Sequence, residues 1–515
     1  MINIIKIYFW QFVSILFNFA SIFVVTPYLA SNPNLYGIYT LVTAAAIFLT
    51  YGDFGFLGAG MKYASECYAQ KDLKQEIRII GFTGFIFLSF VCLYAICVFL
   101  ISFKPELLIK NLINTQQIQI AKWLLIILSV SSPVFMFQRV LQIIFAVRLK
   151  DYVFQKILIC ANAIKIIFAI MLFGHGGYPI VYYFLFSQVC SLLAVCIGFW
   201  VVKSKLGYDL RLLLKSLRFN KELYKRTSSL AFVSIFLTIS WIIYYELDPF
   251  VISKLLGPQY IAIYAVGFTL MEYFRSVFGI IFSPFIAKFN YYVGLKDYEG
   301  LKKFFITVLI VALPLTVLPV LAISITIKTF ILTWVGASYA ASVPIAQVLV
   351  LSYLFSFIIS PSGLLVMAYE KAKNLYLISA LLPFIYWMGV FFTFRFIGLQ
   401  SLADFKFFSF LVVASTYVVI IVKLLDLEFW SFLWKILLPA LLPVCFLVAV
   451  LYLTKGVLPE EKSKINLFIY FVYNGAVISG GLIIYYFSSI TFRKSINLLI
   501  SPISSKINSI KSTKD

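Results

Sequence analysis

Apolar runs of 18 residues or more follow one another along almost the whole chain, separated by short polar segments. A helix of about 20 residues crosses the roughly 30 Å hydrocarbon core of a bilayer, so runs of this length predict membrane-spanning helices. Fourteen are read: 7–30, 35–59, 79–103, 121–147, 157–174, 178–202, 227–250, 260–287, 304–327, 344–369, 374–398, 401–422, 435–453 and 465–489. The first run is too long for the core of a cleavable signal peptide and has no small-residue cleavage pattern after it, so it reads as a true span. The longest outer segment, 104–120, leaves no room for a soluble domain. The expected fold is an all-α polytopic membrane protein of about 14 spans.

The polar punctuation repeats. Span 1 ends in Pro27-Tyr28, followed by Ser31 and by Tyr36-Gly37-Ile38-Tyr39 opening span 2. Span 7 ends in Pro249-Phe250, followed by Ser253 and by Tyr260 to Tyr264 opening span 8. Lys71-Asp72 after span 2 is matched by Lys296-Asp297 after span 8, at an offset of about 225 residues. Each half crosses an even number of times, so the repeats run parallel about an axis along the membrane normal. That arrangement predicts a cavity between two lobes and alternating access by rocking. The expected organisation is an N-lobe at 1–202, a basic cytoplasmic segment at 203–226, a C-lobe at 227–422, and two further spans with a basic tail at 423–515. In 203–226, Leu210, Leu213, Leu214 and Leu217 fall at helical spacing with Arg211, Lys215 and Arg218 between them. That pattern fits either an interfacial helix or a solvated linker. Pro439 and Pro443 predict a kink in span 13, and Pro314 and Pro319 one in span 9.

Charge orients the chain. The net charge of +22 does not indicate nucleic-acid binding, because 29 of the 42 Lys and Arg fall in or near the ends of the segments on one side of the spans and 10 in or near those on the other. This asymmetry predicts that both termini lie in the cytoplasm. The remaining three, Arg139, Lys165 and Arg275, lie deep inside spans, where each costs about 2.5–3.5 kcal/mol at the bilayer centre. Glu272 reads as the only acid at comparable depth, which makes an anionic cargo the first expectation.

The polar residues inside spans form stripes. Gln11, Ser14, Asn18 and Ser21 share one face of span 1, Ser131, Ser132, Gln138, Arg139 and Gln142 one face of span 4, and Thr269, Glu272, Arg275, Ser276 and Ser283 one face of span 8. Such stripes face a neighbouring helix or a wet cavity. Arg139 is suited to bidentate phosphate binding, with Gln138 and Gln142 placed for sugar hydroxyls; the alternative is snorkelling to the cytoplasmic surface. Lys165, one turn after Asn162, is a cargo ligand or an amine neutralised by burial. Arg275 pairs structurally with Glu272, three residues earlier, or is oriented by it, or Glu272 carries a coupling proton.

Nothing in the pattern is catalytic. The seven cysteines form no CxxC pairs and read as packing residues, the one histidine, His175, sits in a Gly-rich turn, and Asp53 and Asp248 border spans as caps or interface residues. No metal, cofactor or enzyme activity is expected, and coupling is left to the membrane potential, H+ or Na+.

The ordered set Pro27 to Tyr39, Asp53-Phe54-Gly55-Phe56, Asp248-Pro249 with Gly257 and Tyr264, Pro284, and Trp334-Val335-Gly336 with Tyr339 resembles the bacterial polysaccharide (Wzx-type) flippases of the multidrug/oligosaccharidyl-lipid/polysaccharide exporter superfamily. The resemblance covers essentially the whole chain. It implies transport of undecaprenyl-diphosphate-linked oligosaccharide repeat units to the outer leaflet for O-antigen or capsule assembly, with basic cavity residues for which Arg139, Lys165 and Arg275 are the candidates. It also implies the glycan lipid, membrane lipids, and a polymerase with chain-length machinery as partners. Fourteen spans rather than twelve is more like the lipid II flippase of the same superfamily. A multidrug exporter is a further alternative, and an O-antigen polymerase or ligase a less favoured one.

Overall fold

The computed structural model describes residues 2–112, 114–174, 177–369 and 372–496; His175 and the end of the basic tail lie outside them. Their regular structure is helical throughout. Contacts divide the chain into two compact units, 1–265 and 266–515.

The first unit holds α1 (Ile2–Leu29), α2 (Pro33–Tyr51), α3 (Phe56–Ala69), α4 (Leu73–Ser102), α5 (Thr115–Val147), α6 (Asp151–Gly174), α7 (Ile180–Leu206), α8 (Leu210–Lys215), α9 (Lys221–Tyr245), α10 (Asp248–Leu255) and the start of α11 (Pro258–Phe282). The second holds the rest of α11, α12 (Phe285–Leu295), α13 (Tyr298–Ile325), α14 (Ile327–Trp334), α15 (Ser342–Leu351), α16 (Ser356–Ala368), α17 (Ala372–Ile397), α18 (Gln400–Leu424), α19 (Phe429–Leu437), α20 (Leu441–Leu453) and α21 (Lys464–Ser488). Thirteen spans among the described residues are long and apolar enough to cross a membrane. A fourteenth follows if α9 and α10, bent by 42°, count as one.

Helix ends follow from local chemistry, and the repeat seen in the sequence recurs as geometry. Both α2 and α11 open at a proline, where the missing N–H is harmless. Lys71 and Lys296 both take left-handed backbone (φ 62° and 55°), and the aspartates after them both cap the next helix. Asp72 accepts from the Gln75 N–H at 3.0 Å, and Asp297 from the Gly300 N–H at 2.9 Å. Span 13 breaks at Pro439, between α19 and α20, as expected. In span 9, α13 continues as a helix across Pro314 and Pro319. Membrane helices tolerate proline where neighbouring helices pack around it, and α13 is enclosed on several sides.

In the first unit α5 is central and packs on α2, α3, α4, α6 and α7. Its Leu124, Leu128, Leu141 and Ile144 are fully enclosed. In the second unit Phe289, Phe305, Leu309, Leu365 and Ile421 form the main core. The helices α20 and α21 join the same unit through Leu318, Ala322, Leu447, Leu451 and Val477. There Thr326 Oγ1 lies 2.8 Å from the Tyr470 hydroxyl and donates to Asn474 Oδ1 at 3.2 Å.

Close backbone contact fixes Gly37 in the repeated signature. A Cβ there would lie 1.8 Å from the Pro258 carbonyl oxygen, so α2 touches the start of α11 directly. Gly37→Ala is expected to force these helices apart and destabilise the protein by about 1–3 kcal/mol. Heating the detergent-solubilised variant and following monodispersity checks this, and an unchanged melting temperature would show that the contact is not fixed by Gly37.

Candidate functional site

The region around Arg139 is built by a helix break. Phe54 and Gly55 take left-handed backbone (φ 47° and 75°), so α2 stops at Tyr51 and α3 restarts at Phe56. The break packs tightly, since a Cβ on Gly55 would lie 2.4 Å from the Ser234 Cβ of α9. A helix end leaves carbonyls without intrahelical partners. Arg139, half-buried on α5, donates through Nη2 to one of the last of them, the Thr50 carbonyl, at 2.9 Å. Its Nη1 donates to Gln142 Oε1 at 3.2 Å. The Asp53 carboxylate, inside the break, is within electrostatic reach of the guanidinium. Gln138 is half-buried next to Arg139 on α5.

Lys165 lies on α6 and donates to the Ser191 hydroxyl of α7 at 3.1 Å. One turn earlier, Asn162 Nδ2 donates to Asn18 Oδ1 at 2.6 Å and ties α6 to α1. The structure thus joins Arg139 with Gln142, and Asn18 with the residue one turn from Lys165. In the second unit Arg275 Nη2 donates to Glu272 Oε1 at 2.6 Å, so the i, i+3 ion pair forms.

Acids other than Glu272 are buried inside the protein among the described residues. In the interior of the first unit Glu246 is 3% exposed and accepts from the Tyr51 hydroxyl at 3.1 Å, and Tyr51 in turn accepts from Trp241 Nε1 at 3.1 Å. Asp248 is fully buried and accepts from the Tyr264 hydroxyl. Both acids sit at the bend between α9 and α10, and Asp53 at the break after α2. Hydropathy places them at the edges of spans because it does not register the other helices that pack around these breaks.

A further cation was missed. Lys406, assigned from the sequence to an outer loop, is fully buried on α18. Its ammonium lies 4.3 Å from the centre of the Tyr386 ring and 5.6 Å from that of Phe268, where ring quadrupoles stabilise the charge. Its position inside the run 401–422 was the available signal. Glu76 and Arg148, placed by the sequence in inner loops, form a buried ion pair between the start of α4 and the end of α5. Among the described residues, the buried charged side chains are thus of both signs. What differs among the cations is how each is held.

No family model matches the chain, and no curated protein matches it. Solved structures do. The lipid II flippase MurJ in an inward closed conformation superposes with a TM-score of 0.65 at 15% identity, covering 94% of this chain and 99% of that one. An inward-facing MATE multidrug resistance transporter of the MOP superfamily gives 0.57 at 12% identity over 86% of this chain and 96% of that one. A MOP superfamily transporter from Pyrococcus furiosus, described as having a binding pocket of reverse polarity, gives 0.52 at 10% identity over 82% and 95%. At these identities the likeness establishes a shared fold.

Proposed function

We propose that this chain is a flippase that carries an undecaprenyl-diphosphate-linked oligosaccharide repeat unit from the cytoplasmic to the outer leaflet by alternating access, for O-antigen or capsule assembly. One contrast supports the reading. Arg148 and Arg275 are spent in direct ion pairs with Glu76 and Glu272. The hydrogen bonds of Arg139 and Lys165 go to neutral acceptors instead: a carbonyl, an amide and a hydroxyl. A guanidinium has five donors, and two N–H groups of Arg139 are engaged in these bonds, so it retains both charge and donors for a phosphate. Gln138 and the Asn18–Asn162 pair supply amides suited to sugar hydroxyls. The reading takes both termini as cytoplasmic, following the distribution of Lys and Arg. It requires no bond-making chemistry, so the protein acts as a transporter rather than an enzyme.

A diphosphate diester carries about two negative charges. Moving them outward against an inside-negative potential of 100 mV is favourable by roughly 4–5 kcal/mol. Flipping in proteoliposomes is therefore expected to slow when the potential is collapsed, and an unchanged rate would remove the potential as a driving force. The test of function itself is the lipid-linked oligosaccharide profile of a deletion strain. Repeat-unit lipid should accumulate on the inner side of the membrane and clear on complementation.

Two other cargoes give different outcomes. The fold shared with the lipid II flippase over 94% of this chain keeps lipid II in view, and accumulation of that lipid instead would assign it. The buried Glu246 and Asp248 favour an exporter of cationic compounds, because carboxylates in a membrane interior suit cationic cargo. A normal lipid profile with raised sensitivity to lipophilic cations would select that reading.

A further inference from the structure

Two apolar hollows in the first unit lie end to end as a furrow along α5 and α7. The first, about 740 Å³, is lined by Trp123, Ile127, Tyr182, Leu185, Gln188 and Leu192 among others. The second, about 340 Å³, is lined by Phe137, Cys196 and Phe199 and, from α8 and just beyond it, by Leu210, Leu214 and Leu217. Leu192 lines both, so they adjoin. Along α7 the lining residues Tyr182, Leu185, Val189, Leu192, Cys196 and Phe199 follow at steps of three and four, which keeps them on one helical face. The next step of that progression is Lys203, exposed in the last turn of α7. From Tyr182 to Lys203 the helix rises about 31 Å, close to the thickness of a bilayer's hydrocarbon core. The exposed Trp123 and Tyr182 mark one end and a lysine the other, which is how membrane helices meet their two interfaces.

The basic end is built rather than loose. Asp209 caps α8 by accepting from the Leu212 N–H at 3.0 Å. Gly81 and Gly84 let α4 receive the end of α8 and the residues after it: a Cβ on Gly81 would lie 2.5 Å from the Ser216 Cβ, and one on Gly84 3.3 Å from Leu217. Residues 210–215 of this segment form a short helix packed on α4. Its leucines close the furrow next to Phe199 of α7, while Arg211 and Lys215, with Arg218 just beyond, and Lys203 one turn after Phe199 are exposed.

We propose that this furrow binds one anionic glycerophospholipid, with an acyl chain between α5 and α7 and the headgroup phosphate among Lys203, Arg211 and Lys215. An apolar hollow in a membrane protein gains dispersion contacts when a chain fills it. The cluster of positive charge at one end selects an anionic headgroup over a zwitterionic one. Asp209, the acid in this segment nearest those residues in sequence, is engaged in capping α8.

The test is native mass spectrometry of the full chain in detergent with added phosphatidylglycerol, phosphatidylcholine, undecaprenyl phosphate or inorganic phosphate. One phosphatidylglycerol should be retained in preference to phosphatidylcholine, and millimolar phosphate should not displace it. Each basic side chain at an anionic headgroup is worth about a fivefold preference, so Lys203→Gln with Arg211→Gln is expected to lower retention roughly thirtyfold. Both positions are exposed, so this variant should keep the wild-type melting temperature. Cys196→Trp, which fills the smaller hollow without changing charge, should also abolish retention. Equal retention in the Lys203/Arg211 variant, equal retention of phosphatidylcholine, displacement by inorganic phosphate, or binding of undecaprenyl phosphate alone would each overturn the proposal.

Discussion

Replacing Arg139 with alanine is expected to reduce transport at least a hundredfold, measured as loss of complementation in a flippase-deficient strain with the variant still present in the membrane. Hydrogen bonds to charged groups are worth about 1.5–3 kcal/mol each, so losing two to a phosphate accounts for a factor of that size. Arg139 also holds the end of α2 through the Thr50 carbonyl and lies near Asp53. Alanine therefore removes a structural contact as well as a cation, and the pair Arg139→Gln with Asp53→Asn separates the two roles. The glutamine can still donate to the Thr50 carbonyl, and neither residue is left as an unpaired buried charge. If the cation serves an anionic cargo, this neutral pair should be as stable as wild type and as inactive as the alanine variant. Arg139→Lys keeps the charge but loses the planar fork, and should recover only a small part of the activity. Full activity in the neutral pair would remove Arg139 from the site and leave it a purely structural role at the helix break.

The features legible in the sequence were those that repeat or accumulate along the chain. Spans declared themselves by length and hydropathy, and the Lys-Asp pairs at 71–72 and 296–297 recurred as the same turn and cap. The i, i+3 relation of Glu272 and Arg275 was readable because one helix carries both residues. What escaped depends on partners from different helices. Nothing near Arg139 in sequence points to the Thr50 carbonyl, 89 residues away, or to Asp53. Glu246 reads as the polar end of a span until Tyr51 and Trp241 enclose it. Lys406 sits inside the run 401–422, but the rings of Tyr386 and Phe268 beside it come from other helices. Helix breaks are the common cause, since four residues such as Gly52 to Gly55 hardly change a hydropathy average yet turn the backbone and create an interior polar site.

The largest effect on stability is expected from Arg148→Ala. Glu76 is fully buried and the Arg148 side chain 7% exposed, and both guanidinium Nη atoms donate to the two carboxylate oxygens, with Nη2 to Oε2 at 2.9 Å. The guanidinium also lies 5.1 Å from the centre of the Tyr68 ring and 4.7 Å from that of Tyr208, so the pair links α4 and α5 to α3 and to the turn between α7 and α8. Burial, reinforced by the Glu76 carboxylate, pushes the Tyr208 phenol up, so its ring stays neutral beside Arg148 at physiological pH. Two charges removed from water are compensated only by each other. Taking away Arg148 leaves Glu76 buried without its cation, which typically costs about 3–5 kcal/mol, and the variant should lose several degrees of melting temperature and much of its membrane abundance. Replacing both residues, Glu76→Leu with Arg148→Met, removes both desolvation costs along with the attraction and should recover most of the loss. Fluorescence-detected size exclusion after a heat challenge measures both variants on the full chain. A single variant as stable as wild type, or a double variant no better than the single, would show that this pair does not hold the four elements together.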